Sequence, residues 1–265
     1  MDVHLHSRYS LDSIMDMETA VLKCIELGHR IISFTEHVDI DFPGYGDKFD
    51  VDFEGYFKEV DRLQARYPVI KILKGVEAGV THDTVCDVRS RINGYSFDYI
   101  VLSDHLIYGE DPYSDPSIYL KHEKKSIYAD YLKDIYSLMI EYKDFDSLGH
   151  YDYITRYSVY EDPNLMYSDF QDLFDAILEL LARNDKALEL NTRTYDEHTY
   201  GKRIFDPMIL KRFKELGGKY ICLGSDSHNM EFIGFRFEYF KQLVKEAGFE
   251  GLAYFEDRTP HIMKL

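Results

Sequence analysis

Short apolar runs alternate with longer amphipathic ones along nearly the whole chain, and each apolar run ends in a histidine, a carboxylate or another group that binds metal or phosphate. No other feature constrains the fold as strongly. The candidate strands are Asp2–His6, Ile31–Glu36, Ile70–Glu77, Phe97–Ser103, Phe145–His150, Ala187–Asn191 and Lys219–Ser225. Between them lie helical stretches over Asp16–Leu27, Phe53–Tyr67, Ile118–Tyr142, Tyr167–Asn184, Pro207–Leu216 and Glu238–Ala247. Phe170, Leu173, Phe174, Ile177 and Leu181 recur at helical spacing and make one apolar face. Leu27-Gly28 and Leu216-Gly217-Gly218 put glycine stops just before the next strand. Such alternation predicts right-handed βα units, here an α/β barrel of about seven strands with the strand endings gathered at one mouth. An open doubly wound sheet is the alternative, but it would divide the endings between two sides of a switch point. No linker or repeat interrupts the 265 residues, so a single domain is expected over 1–265.

The endings themselves point to metal chemistry. His4 and His6 stand two apart on a strand, so both side chains leave the same face and can grip one ion. Asp226 and His228 repeat that spacing after the last strand, and His37, His105 and His150 close strands in between. Glu77 ends an apolar run, where an unpaired carboxylate is costly, and its two oxygens suit a bridge between two ions. Asp12 can ligate or can cap a helix starting near Ser13, with ligation favoured. Glu36 should point away from its neighbour His37 and serve to orient an imidazole. Arg156 and Arg193 follow strand ends, and guanidinium forks match phosphate oxygens. His29, His82, His122 and His261 read as solvated, whereas His198 sits in a polar loop from which it could reach a substrate.

No nucleophile elbow, Walker loop or dinucleotide fingerprint occurs, so the expected nucleophile is water activated by metal. Nitrogen-rich sites with several carboxylates suit two or three divalent transition-metal ions: zinc, manganese or iron. The leaving group needs a proton or a metal, and Asp104, Asp152 and His198 are the candidate donors. Acidic residues outnumber basic ones 48 to 31, a formal charge of −17, which argues against a nucleic-acid polymer or an anionic membrane as partner. A small phosphorylated substrate fits only where cations and arginines reverse that field locally. The segments Asp39–Asp52 and Tyr108–Ser117, rich in Gly, Pro, Tyr and Asp, should rim the mouth. Cys24, Cys86 and Cys222 are isolated thiols without CxxC spacing, and no signal or membrane-spanning stretch is seen, so the expected compartment is the cytoplasm. Nothing in the sequence sets an oligomeric state.

Taken together, four motifs resemble the PHP (polymerase and histidinol phosphatase) superfamily. They are His4-Leu5-His6 with Asp12, Thr35-Glu36-His37, Ser103-Asp104-His105, and Gly224-Ser225-Asp226-Ser227-His228, with Glu77 and His150 at the family's positions between them. Asp39-Ile40-Asp41-Phe42-Pro43, Asp52-Phe53-Glu54-Gly55-Tyr56-Phe57, His150 to Tyr157 and Ala187 to Thr192 look most like the monofunctional histidinol-phosphate phosphatases. The resemblance implies a distorted (β/α)7 TIM-like barrel with a trinuclear metal centre at the carboxyl ends of its strands. It implies that His4, His6, Glu77 and Asp226 hold one ion, that Glu77, His105 and His150 hold a second, and that Asp12, His37 and His228 hold a third. It further implies that Arg156 and Arg193 grip the phosphate of L-histidinol phosphate, in histidine biosynthesis. Asp104, where an apolar residue is more usual, and the Asp196–Lys202 loop depart from that pattern. Two other functions stay open: a PHP-type phosphoesterase for nucleotides or small phosphodiesters, and a non-catalytic metal-binding module.

Overall fold

The computed structural model describes all 265 residues. Seven strands form one parallel sheet in sequence order: β1 Asp2–Leu5, β2 Ile31–Asp39, β3 Lys71–Gly79, β4 Tyr99–Ser103, β5 Ser147–Leu148, β6 Ala187–Asn191 and β7 Ile221–Gly224. All nine residues of β2 are buried. Strands covered on both faces read as continuous apolar runs, which is why these segments lack period-two alternation. The barrel closes through the residues that follow β1 and β7. Asp226 donates its backbone N–H to the His4 carbonyl at 2.8 Å, and His6 donates to the Ser227 carbonyl at 3.0 Å. Closure therefore fixes the two metal-type motifs at opposite ends of the chain against each other.

The helices are α1 Met17–Glu26, α2 Phe53–Arg66, α3 Val85–Ile92, α4 Lys124–Tyr142, α5 Gln171–Arg183, α6 Glu197–Tyr200, α7 Pro207–Glu215 and α8 Phe237–Glu246. Helix α1 is capped by Asp16, whose carboxylate accepts the Thr19 N–H at 3.0 Å, so Asp12 has no capping role. The helix expected over Ile118–Tyr142 is two elements. A 3₁₀ turn spans Pro116–Lys121, and extended backbone at His122 separates it from α4. The expected Tyr167–Asn184 helix likewise starts with a separate 3₁₀ turn before α5.

Sequence patterning did not anticipate α3 or the C-terminal hairpin, β8 Gly251–Glu256 with β9 Thr259–Lys264. The hairpin turns at Asp257 and Arg258, both in left-handed backbone (φ 49° and 63°), where Asn-Gly would have been the recognisable signal. Its inner face is buried, with Phe255 stacked on Tyr99 of β4 at 5.5 Å and Arg258 paired to Asp146 at 2.5 Å. That pairing covers the amino-terminal end of the barrel, opposite the mouth. No helix is long and apolar enough to cross a membrane.

Candidate metal centre

Glu77, at the end of β3 and fully buried, is the hub of the mouth. Its Oε2 lies 3.2 Å from His4 Nε2, 3.3 Å from His6 Nε2 and 3.1 Å from His37 Nδ1. Its Oε1 lies 2.7 Å from His150 Nε2 and 3.2 Å from His105 Nε2, and accepts the Ser103 hydroxyl at 2.6 Å. Parallel register sets His37 of β2 beside Glu77 of β3, so adjacency in the sheet becomes adjacency in the site. Asp226 Oδ1 approaches His6 Nε2 at 3.4 Å. On the outer side, Asp12 Oδ2 lies 3.0 Å from His228 Nε2 and 3.7 Å from His37 Nε2.

Three pairs of imidazoles face each other nitrogen to nitrogen. The Nε2 atoms of His4 and His6 are 3.1 Å apart, those of His105 and His150 3.3 Å, and those of His37 and His228 3.4 Å. Ligands on a tetrahedral ion with bonds of about 2.1 Å are separated by about 3.4 Å, so each pair has the spacing of two donors on one ion. The buried Glu77 Oε2 has no hydrogen-bond partner despite its three imidazole neighbours. An orphaned carboxylate oxygen among imidazole nitrogens is a donor set suited to cations. The fit to a metal cluster is good.

Electrostatics tell the same story in proton terms. Burial opposes charge on His4, but Glu189 and Glu77 outweigh it and raise its pKa well above the usual value. His37 is pushed up to about 9, burial again being overcome by Glu77 and Asp12. Burial would favour a neutral Glu77, yet His4, His37 and His105 hold it well below the carboxylate range. His228 goes the other way, down to about 4, chiefly through burial, with the Arg193 guanidinium beside it adding to the effect. The mouth is thus a pool of negative charge that takes up positive charge wherever it can.

Several residues act on the cluster from behind. Glu189 of β6 is fully buried; its Oε1 lies 2.5 Å from His4 Nδ1, and its Oε2 accepts the His150 backbone N–H at 2.9 Å. Asp39 Oδ1 lies 2.8 Å from His105 Nδ1. A carboxylate behind an imidazole fixes which nitrogen is free to ligate. Glu36 does point away from His37; it accepts the Ser10 hydroxyl at 2.6 Å, and Ser10 Oγ in turn lies 3.3 Å from His6 Nδ1. Arg156 is 3% exposed and heavily engaged, donating to Asp226 Oδ2 at 2.8 Å, Asn191 Oδ1 at 2.9 Å and Thr194 Oγ1 at 3.0 Å. It turns Asp226 so that Oδ1 faces His6. Sequence reasoning passed over Glu189 and Asp39 as site residues. Glu77 stands out by closing an apolar run, whereas Glu189 lies inside one, between Leu188 and Leu190.

Asp226 and His228 do not sit on a strand. Strand β7 stops at Gly224, and Asp226 takes left-handed backbone at φ 50°. Convergence at this end comes from a turn that a non-glycine residue seldom adopts, not from period two.

A cavity of about 800 Å³ opens over the cluster, walled by Arg193, Arg203, Tyr153, Tyr157 and Tyr200. Phe42, Tyr45 and Phe49 from the segment after β2, with Asp111 and Tyr113 from the segment after β4, supply its rim as expected. Arg193 holds Tyr200 Oη through Nε at 3.1 Å and contacts His228 Nδ1 through Nη1 at 2.6 Å. The three expected proton donors lie outside this cavity. Just beyond the end of β4, His105 faces the cluster while Asp104 lies in a separate cavity against α4, where burial raises its pKa well above the ordinary range. Asp152 is held behind Arg156, accepting the Tyr195 hydroxyl at 2.6 Å and the Thr194 hydroxyl at 3.3 Å. His198 is exposed on the short α6. None of the three reaches the cluster.

A family model for the PHP domain matches residues 2–193. The chain belongs to the PHP family. Within it, the chain is 34% identical over 256 residues to the histidinol-phosphatase of Lactococcus lactis, covering 96% of this chain and 94% of that protein. A probable histidinol-phosphatase of Clostridium acetobutylicum is 33% identical over 258 residues, 97% of each chain. Relatives at this identity over the full length place the chain in the histidinol-phosphatase branch of the PHP family. The crystal structure of the Lactococcus lactis histidinol phosphate phosphatase, complexed with zinc, L-histidinol and phosphate, superposes with a TM-score of 0.88 at 32% identity, covering 98% of both chains. A putative histidinol phosphatase from Listeria monocytogenes shares the fold at a TM-score of 0.74 and 23% identity, over 90% of this chain and 99% of that one.

Proposed function

We propose that this chain is a metal-dependent phosphomonoesterase, acting as one domain over residues 1–265, that hydrolyses L-histidinol phosphate to L-histidinol and phosphate. The observation that carries the reading is the set of three imidazole pairs around Glu77, at the floor of a cavity walled by arginine and tyrosine. His4, His6, Glu77 and Asp226 would hold one divalent ion, Glu77, His105 and His150 a second, and Asp12, His37 and His228 a third. Zinc is the first candidate, with manganese and iron sharing the same donor preferences. Bound ions of this kind neutralise phosphate charge and lower the pKa of water to near neutrality.

The chain's own groups do the remaining work. Arg193, 29% exposed at its side chain, faces the cavity and is placed to grip phosphate oxygens as charge moves onto them. Arg156 keeps Asp226 aimed at His6 from the same wall. Asp39 and Glu189 hold His105 and His4 in the tautomer that leaves Nε2 free. Tyr153, Tyr157 and Tyr200 give the organic part of the substrate aromatic faces, and Asp111 at the rim offers a carboxylate to its ammonium group. The unpaired thiols support a cytoplasmic setting, and the net charge of −17 disfavours polymeric nucleic acid and anionic membranes as partners.

Elemental analysis paired with activity tests this. Protein purified without chelators should carry close to three transition-metal ions per chain and hydrolyse phosphomonoesters. Stripping the ions should abolish turnover, and zinc should restore it. Full turnover by demonstrably metal-free protein would overturn the reading.

A further inference from the structure

Behind β4, on the side away from the metal cluster, lies a cavity of about 510 Å³ between the segment after β4 and helix α4. Four carboxylates line it, Asp83, Asp104, Asp130 and Asp134, against two groups that can be cationic, Lys133 and His82. Both of those are already committed. Lys133 Nζ pairs with Asp130 at 2.8 Å, and His82 is bracketed by Asp134 at 2.8 Å and Glu141 at 2.9 Å. Asp104 is left over. Only 6% exposed, it receives one N–H, from Leu106, on Oδ1, while its buried Oδ2 has no partner at all. A buried carboxylate in that position lacks the positive charge that would compensate its desolvation.

We propose that this cavity is a second ligand site, separate from the metal centre, for a small organic ammonium ion whose N–H groups meet Asp104 and Asp134. A metal ion suits it less. The three groups of donors that converge within 4.8 Å of one another are all in the barrel mouth. Carboxylates spread more widely around a roomier cavity match an ammonium on a short apolar stem, for which Leu106 and Ile107 provide the surface. Tyr108 stands at the rim in left-handed backbone (φ 52°), its hydroxyl donating to Asp130 at 2.7 Å, and offers a ring edge or face to the cation. Because Asp104 directly precedes His105, an occupant here sits one residue from the metal cluster. The inference does not depend on the identity of the phosphorylated substrate.

The test is calorimetric titration of n-butylamine hydrochloride into zinc-loaded full-length enzyme, with inorganic phosphate present throughout to occupy the metal centre. Saturable millimolar binding is expected, with n-butanol giving none. Asp104→Asn and Asp134→Asn should each weaken it at least about tenfold, while Asp134→Asn keeps the parent rate on p-nitrophenyl phosphate. Putrescine binding more tightly than n-butylamine assigns a diamine as the occupant, and equal binding a monoamine. No saturable binding to the parent enzyme, or equal affinity in parent and both variants, overturns the proposal.

Discussion

Replacing Glu189 by Gln should cripple metal binding without touching a metal ligand. The two Glu189 oxygens serve two different parts of the cluster, His4 Nδ1 at 2.5 Å and the His150 backbone N–H at 2.9 Å. Both contacts present hydrogens to a carboxylate that only accepts. A glutamine can satisfy one of them; its NH₂ then confronts the other donor. In one orientation the His150 N–H is left opposed in a fully buried site, costing about 1–3 kcal/mol. In the other, the NH₂ drives His4 to the tautomer protonated on Nε2, the nitrogen that faces His6 and Glu77. Loss of a group that orients a ligand costs about 10–100-fold in metal affinity, or about 1.4–2.8 kcal/mol. Competition of zinc against a chromophoric chelator, with the parent and Glu189→Gln enzymes side by side, reads this directly. The weakest of the bound ions should be lost first, and saturating zinc should recover most of the turnover. Identical zinc affinity and stoichiometry in the two proteins would refute the idea that Glu189 sets the tautomer of His4.

Three further outcomes follow from the geometry. Arg193→Ala should lower kcat/KM, measured at saturating zinc, by about 2–4 kcal/mol if its guanidinium meets the transferring phosphoryl group; steady-state kinetics with metal analysis to confirm full loading checks this. Zinc affinity should rise with pH, because His37 (about 9) and His4 and His105, both raised well above the usual imidazole value by neighbouring carboxylates, carry protons at neutrality that an incoming ion must displace. Calorimetry in two buffers should find about one proton released per ion on average, so that affinity falls about tenfold per unit as pH drops. Gly79→Ala should damage the site at His105: a Cβ there would lie 1.8 Å from Asp39 Oδ1, the oxygen that holds His105. Overpacking of this kind costs about 1–3 kcal/mol, visible as a lower melting temperature together with reduced metal content.

How much of this was legible from sequence depends on which physical rule each residue obeys. His4 and His6 obey strand parity, and Glu77 announced itself as a charge closing an apolar run, so the heart of the cluster could be read directly. Parity also placed Glu36 away from His37, whereas Asp104 and His105 lie just beyond the end of β4, where that rule no longer applies. Asp226 and His228 converge through a left-handed turn, which strand periodicity does not describe; they come together for a geometric reason other than the same-face spacing that singled them out. Glu189 was obscured because its partner His4 lies 185 residues away. Nothing local distinguishes such a carboxylate from a residue that merely interrupts an apolar strand. The C-terminal hairpin escaped because Asp257-Arg258 takes the backbone normally signalled by Asn-Gly.

The central claim, that this metal cluster serves the hydrolysis of L-histidinol phosphate, is tested most directly by steady-state kinetics on zinc-loaded enzyme with three substrates: L-histidinol phosphate, p-nitrophenyl phosphate and AMP. The arginine-walled cavity, with tyrosine faces and Asp111 at its rim, should favour L-histidinol phosphate in kcat/KM by well over tenfold. A preference below about tenfold, ~1.4 kcal/mol, would contradict the account and leave a general phosphoesterase in its place.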